Sequence, residues 1–192
     1  MKKKSLALVL ALAMIVVCVV GGTLAWLIAT TPEVKNTFTY GDINIKLEET
    51  DATVAVDGSA TKEFKMIPGY TIAKDPKVTV KAGSEKCYLF VKVDKSANFD
   101  KFMTYDMAAD WTALTGVNGV FYRVVETSTG NQTFSVLAND QVIVKDTVTK
   151  ADMNALNEAT QPTLTFTAYA CQYMKNSTES FTAAQAWNNV TT

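Results

Sequence analysis

The sequence predicts a mainly β protein, an antiparallel β-sandwich with one or two short helices, preceded by the apolar helix of an export signal. Segments that alternate apolar and polar residues with a period of two recur along the chain, and turn-forming glycine, asparagine and proline residues separate them. Stretches with helical spacing are few and short. Many strands with little helix point to two packed antiparallel sheets.

Taken in order, Met1 to Lys4 supply three lysines, and an uncharged run from Ser5 to Ala29 follows, broken at Gly21-Gly22-Thr23. A basic start, an apolar stretch and a small-residue exit are the parts of a secretory signal peptide, with Thr23 and Ala25 at the positions before the cut. The expected organisation is therefore a signal peptide over 1–25, a flexible segment over 26–35 and one β-sandwich domain over 36–192. An apolar run of about 20 residues is also long enough to cross a bilayer. Retention as an uncut anchor stays open, and the uncleaved leader would be the chain's membrane contact. Cys18 follows Ile15-Val16-Val17, bulky residues where lipid attachment favours a small one.

Ile43, Ile45 and Leu47 share one face of the first strand. Ala52–Val56 and Glu63–Ile67 are the next two, joined through Asp57-Gly58, a dipeptide that tolerates positive φ. Pro68-Gly69 ends that pair. Pro76–Val80 and Cys87–Val93 follow across Ala82-Gly83-Ser84, the second being the most apolar strand beyond the leader. Asn98–Thr115 carries Phe99, Phe102, Met103, Met107 and Trp111 at mixed spacing, which predicts a short helix or a long ordered loop. Val120–Val125 and Thr133–Leu137 resume the sheet around Gly130-Asn131, and Gln141–Lys145 is a further strand. Lys150–Glu158 has helix formers and ends on the approach to Pro162. In the last strand, Thr163–Gln172, the threonines and Tyr169 face one way and Leu164, Phe166, Ala168 and Ala170 the other. Ala183–Trp187 adds a helical turn or two.

Loss of residues 1–25 removes three of the 18 basic residues and none of the 19 acidic ones, leaving a net charge of −4 on 167 residues. A mildly acidic chain with scattered lysines offers no electrostatic footprint for nucleic acid. Outside the leader stand Cys87 and Cys171, a pair that an oxidising compartment would link as a disulfide and a reducing one would leave as buried thiols. Both readings remain open from sequence.

The chain has no histidine. Ser-His and Cys-His catalysis and His-bearing zinc sites are thereby excluded. Its nine glycines are dispersed, without a phosphate-binding loop. Asp94, Asp100, Asp106 and Asp110 surround the aromatic central segment but match no calcium loop. Tyr88, Phe90, Tyr122 and Trp111 are candidates for a sugar-binding face or for core packing. No catalytic residue, metal site or cofactor is expected, and the chain reads as a non-enzyme.

Three patches, in order along the chain, resemble the TasA and camelysin family of Gram-positive bacteria. They are Gly21–Ala25 with Asn36-Thr-Phe-Thr-Tyr-Gly-Asp-Ile-Asn-Ile45; Ile67-Pro-Gly-Tyr-Thr-Ile-Ala-Lys74 leading into Val78–Val80 and Tyr88–Val93; and Phe166–Gln172 with Ala183–Trp187. The resemblance implies a jelly-roll-like sandwich exported through a SipW-type signal peptidase to the cell surface or biofilm matrix. It also implies self-association into fibres, in which the segment after the leader is donated as a strand to the next subunit. Trp26, Leu27 and Ile28 lie in that segment, and so apolar a new N-terminus calls for burial, on a neighbouring subunit or on its own domain. Matrix proteins or glycans are further expected partners. The alternative is a non-polymerising surface adhesin or carbohydrate-binding module. Camelysin-type proteins have been described as metalloproteases, a label that a chain without histidine does not support.

Overall fold

The structure is a computed structural model, and it describes residues 41–191. The order is β1 (Ile45–Glu48), β2 (Thr53–Val54), β3 (Ala60–Thr61), β4 (Thr71–Ala73), β5 (Lys77–Val80), β6 (Cys87–Lys95), α1 (Phe99–Phe102), β7 (Met103–Thr104), β8 (Thr112–Ala113), β9 (Val120–Val125), β10 (Gln132–Ser135), β11 (Gln141–Val144), α2 (Lys150–Asn154), β12 (Leu164–Gln172) and α3 (Ala183–Thr191). All ladders among the described residues are antiparallel. The fold is mainly β, as the alternating pattern predicts.

Two sheets hold the principal core. One has the order β1-β5-β10 and the other β12-β6-β9-β8. Val78 and Val80 of the first meet Cys87, Leu89, Val91 and Val93 of the second, and Trp111, Val125 and Val136 complete the buried cluster. The far face of the second sheet is covered as well, by α3, whose Ala186 and Trp187 pack on Tyr88 and Phe90. Because β6 is buried on both faces, its sequence is a continuous apolar run rather than an alternation. α3 begins with reciprocal hydrogen bonds between Thr182 and Gln185, a capping box that satisfies two orphan backbone donors.

A third cluster lies beneath the sheet β4-β11-β7, where Phe99 and Phe102 of α1 pack with Leu137, Val142, Val144 and Val148. The α1 segment and β7 together resolve the central stretch as one helical turn running directly into a strand.

Three local expectations change. Glu63–Ile67 is not a strand: Phe64 and Met66 alternate inward and are half-buried, but the partner of β2 is the shorter β3. The hairpin closes at Asp57-Gly58, with Gly58 at φ 82° and Ala55 N–H donating to Ser59 over 2.8 Å. Thr71–Ala73, inside the Ile67–Lys74 patch, pairs with β11 although its three residues are too few to display a period. The C-terminal helix is also longer than its sequence suggests, running from Ala183 to Thr191.

Candidate functional site

The expected cleavage residues Thr23 and Ala25 and the donor candidates Trp26, Leu27 and Ile28 lie outside the described residues. What the structure does describe is the edge strands of the two main sheets.

β1 and β12 are edge strands of the two main sheets, and they lie against each other on one flank of the sandwich without pairing. Among the described residues β12 pairs only with β6, so alternate residues along this nine-residue strand turn backbone groups outward to an edge without a ladder partner there. The side chains on that flank are apolar and half-buried. Ile43, Ile45 and Leu47 come from the β1 side, and Leu164, Phe166, Ala168 and Ala170 from β12. The register fixes this face: Ala170 opposes Leu89, Ala168 opposes Val91 and Phe166 opposes Val93, all pointing into the core. The facing read from the alternation of β12 is therefore the facing observed.

One end of this seam is closed by a largely buried ion pair. Lys74 Nζ donates to Glu49 Oε2 over 2.8 Å, and the two side chains are 11% and 14% exposed. The lysine sits over the rings of Phe64 and Phe166. Glu49 Oε1 is buried without a hydrogen-bond partner among the described residues.

Cys87 and Cys171 are free thiols. The candidate disulfide is not formed, for a reason set by register. Cys171 opposes Tyr88 and Cys87 opposes Gln172, a one-residue offset that sends the two side chains to opposite faces of the sheet. Cys87 belongs to the inner core and Cys171 to the α3 side. Burial pushes the Cys87 thiol up to about 11 and raises that of Cys171.

The candidate aromatic face is packing. Tyr88, Phe90 and Tyr122 share one face with Tyr169 and Tyr173 beneath α3, whose Trp187 packs on Phe90 and Tyr169, and Tyr88 donates to the Phe181 carbonyl over 2.9 Å. Trp111 is on the opposite face, donating its indole N–H to Ser135 O over 2.9 Å. Arg123 also turns inward on that side, with its guanidinium 3.8 Å from the centroid of Phe134 and 3.6 Å from Asp110. Nothing in the sequence marks this arginine as an interior residue.

The four aspartates separate. Asp94 pairs with Lys92 at 3.1 Å on the outer face and Asp110 with Arg123, whereas Asp100 and Asp106 line one open groove of about 380 Å³. Tyr105 and Phe121 supply apolar surface there, and Lys95 holds Asp100 with bonds of 2.8 and 2.7 Å. The hydrogen bond from Lys95 to Asp100 raises the lysine's pKa, and burial raises that of Tyr105. No cluster of three or more Cys, Asp or Glu positioned for a metal occurs among the described residues.

No protein-family model matches the chain, and no curated protein or solved structure matches it.

Proposed function

We propose that the chain is an exported structural subunit of an extracellular fibre or biofilm matrix, assembled when residues 26–35 of one copy add to the flank between β1 and β12 of the next. The observation that carries this reading is the outer edge of the nine-residue β12, without a ladder partner among the described residues, beside a row of half-buried apolar side chains. Exposed strand edges are templates for strand addition, in which backbone pairing gives affinity and alternate side chains fill pockets. Trp26, Leu27 and Ile28 bring apolar bulk suited to that flank, worth roughly 5 to 8 kcal/mol before ordering costs.

The resemblance of three patches to the TasA and camelysin family supports the same reading from the sequence side, including a jelly-roll winding, SipW-type processing and a Gram-positive cell surface. The role is structural rather than catalytic. Self-association also supplies a means of staying at the surface that does not depend on the leader.

Negative-stain electron microscopy and size exclusion of protein beginning at Trp26, beside protein beginning at Asn36, test the proposal. Fibres or large oligomers from the longer form alone are expected. Monomers from both at high concentration would overturn it in favour of a non-polymerising adhesin.

A further inference from the structure

We infer that the groove between the end of β6 and the loop after β7 is a saccharide-binding site, with Asp106 as its principal hydrogen-bonding group and Tyr105 as its stacking surface. The inference is independent of polymerisation, since the groove uses none of the flank residues of β1 or β12.

The loop that carries the site is pinned on both sides. Asp106 O accepts from Ala138 N–H over 2.9 Å, Met107 bridges to Leu137, and the Tyr105 ring stands edge-on to the buried Phe99 at a centroid distance of 5.9 Å. Tyr105 and Asp106 therefore form a fixed ridge. On one side of it lies the open groove with Lys95, Asp100 and Phe121; on the other lies a water-sized notch of about 20 Å³ that reaches Asn139 and Gln141. The larger space falls within the range of small-molecule sites, about 300 to 1,000 Å³.

The chemistry favours a neutral polyol. A carboxylate accepts from two neighbouring hydroxyls, while the hydroxyls of Thr104 and Tyr105 that line the same groove both donate and accept. Vicinal sugar hydroxyls have the same dual character. The half-buried rings of Tyr105 and Phe121 offer apolar surface for the C–H face of a pyranose. Lys95 already neutralises Asp100, so Asp106 is the one uncompensated charge among the groove's lining residues, and no cluster of acids positioned for a metal surrounds it among the described residues. Asp106 is exposed, and its carboxylate has no side-chain or backbone partner among the described residues.

Saturation-transfer NMR and isothermal titration of the full chain with cellotetraose, maltotetraose and chitotetraose test the site. At least one of these is expected to bind, and Asp106→Ala to weaken it about tenfold or more with an unchanged thermal midpoint. Asp94→Ala, which removes an exposed carboxylate on the other face, serves as the control and leaves binding intact. Absence of binding by all three at about 10 mM, or equal affinity in Asp106→Ala, overturns the inference. Fibre formation by Asp106→Ala is expected to be unaltered, so that failure here is distinct from failure of the assembly proposal.

Discussion

Lys74 reaches Glu49 over 2.8 Å while its ammonium lies 5.3 Å from the centroid of Phe64 and 5.4 Å from that of Phe166. A charge pair so enclosed ties the turn after β1 to β12 through aromatic contacts, at the end of the flank where neither edge strand has an outer ladder partner among the described residues. Replacing one member leaves the other charge desolvated, which typically costs about 3 to 5 kcal/mol. Glu49→Leu and Lys74→Met are each expected to lower unfolding free energy by an amount of that order, and the two combined by less than the sum. Denaturant unfolding of the four proteins measures this. Additive effects, or single losses within about 0.5 kcal/mol, would show that the pair is not coupled.

The thiols give a second expectation. A desolvated thiol reacts slowly because the thiolate is the nucleophile, and Cys87 is raised to about 11. Protein beginning at Trp26 is expected to resist iodoacetamide at pH 8 while folded and to take up two labels once unfolded. Mass spectrometry after oxidation should find no Cys87–Cys171 cross-link. Rapid native labelling of Cys87, or recovery of that cross-link from folded protein, would contradict the opposite-face register.

That register shows where sequence was sufficient and where it was not. The facing of β12 was legible because every second residue from Leu164 to Ala170 is apolar. Whether Cys171 meets Cys87 depends on a one-residue offset between strands 84 positions apart, and no local pattern encodes it. Arg123 reads as a surface residue until the strand pairing places it opposite Leu89 on the core face. Asp100 and Asp106 were legible as candidates, but their separation from Asp94 and Asp110 follows from α1 and β7 turning the chain between them. The nearly full burial of β6 was visible in its unbroken apolar run, whereas the half-burial of Phe64 and Met66 mimics a strand in a segment with no ladder partner.

Alkaline pH tests the packing under α3. Burial raises the Tyr88 pKa above its ordinary 10.0, and the neutral hydroxyl is the form that donates to Phe181. A group raised in the folded state contributes stability below its unfolded value, and that contribution is lost as pH rises through the folded value. Unfolding free energy is therefore expected to decline above about pH 10, and Tyr88→Phe to flatten the decline. The measurement is chemical unfolding at pH 8 and at pH 10.5 for both proteins. An identical slope in Tyr88→Phe would assign the alkaline loss to other groups.

Two glycines in the turn between β8 and β9 separate backbone strain from steric collision. Gly116 has φ 83° with nothing near the position a Cβ would take, whereas Gly119 has φ 72° and would place a Cβ 2.5 Å from the carbonyl oxygen of Val93. Relief by backbone movement is opposed, because Gly119 O accepts from Val93 N–H over 2.7 Å and holds the turn against β6. Gly116→Ala carries only the left-handed penalty of about 1 to 2 kcal/mol. Gly119→Ala adds the collision or the loss of that hydrogen bond, for a total of about 2 to 4 kcal/mol. Parallel thermal and denaturant unfolding should therefore rank the two variants in that order. Equal losses would mean that the turn can move away from β6 freely, and that the end of the four-stranded sheet is held by the contacts of Val120 and Leu114 beneath α3 instead.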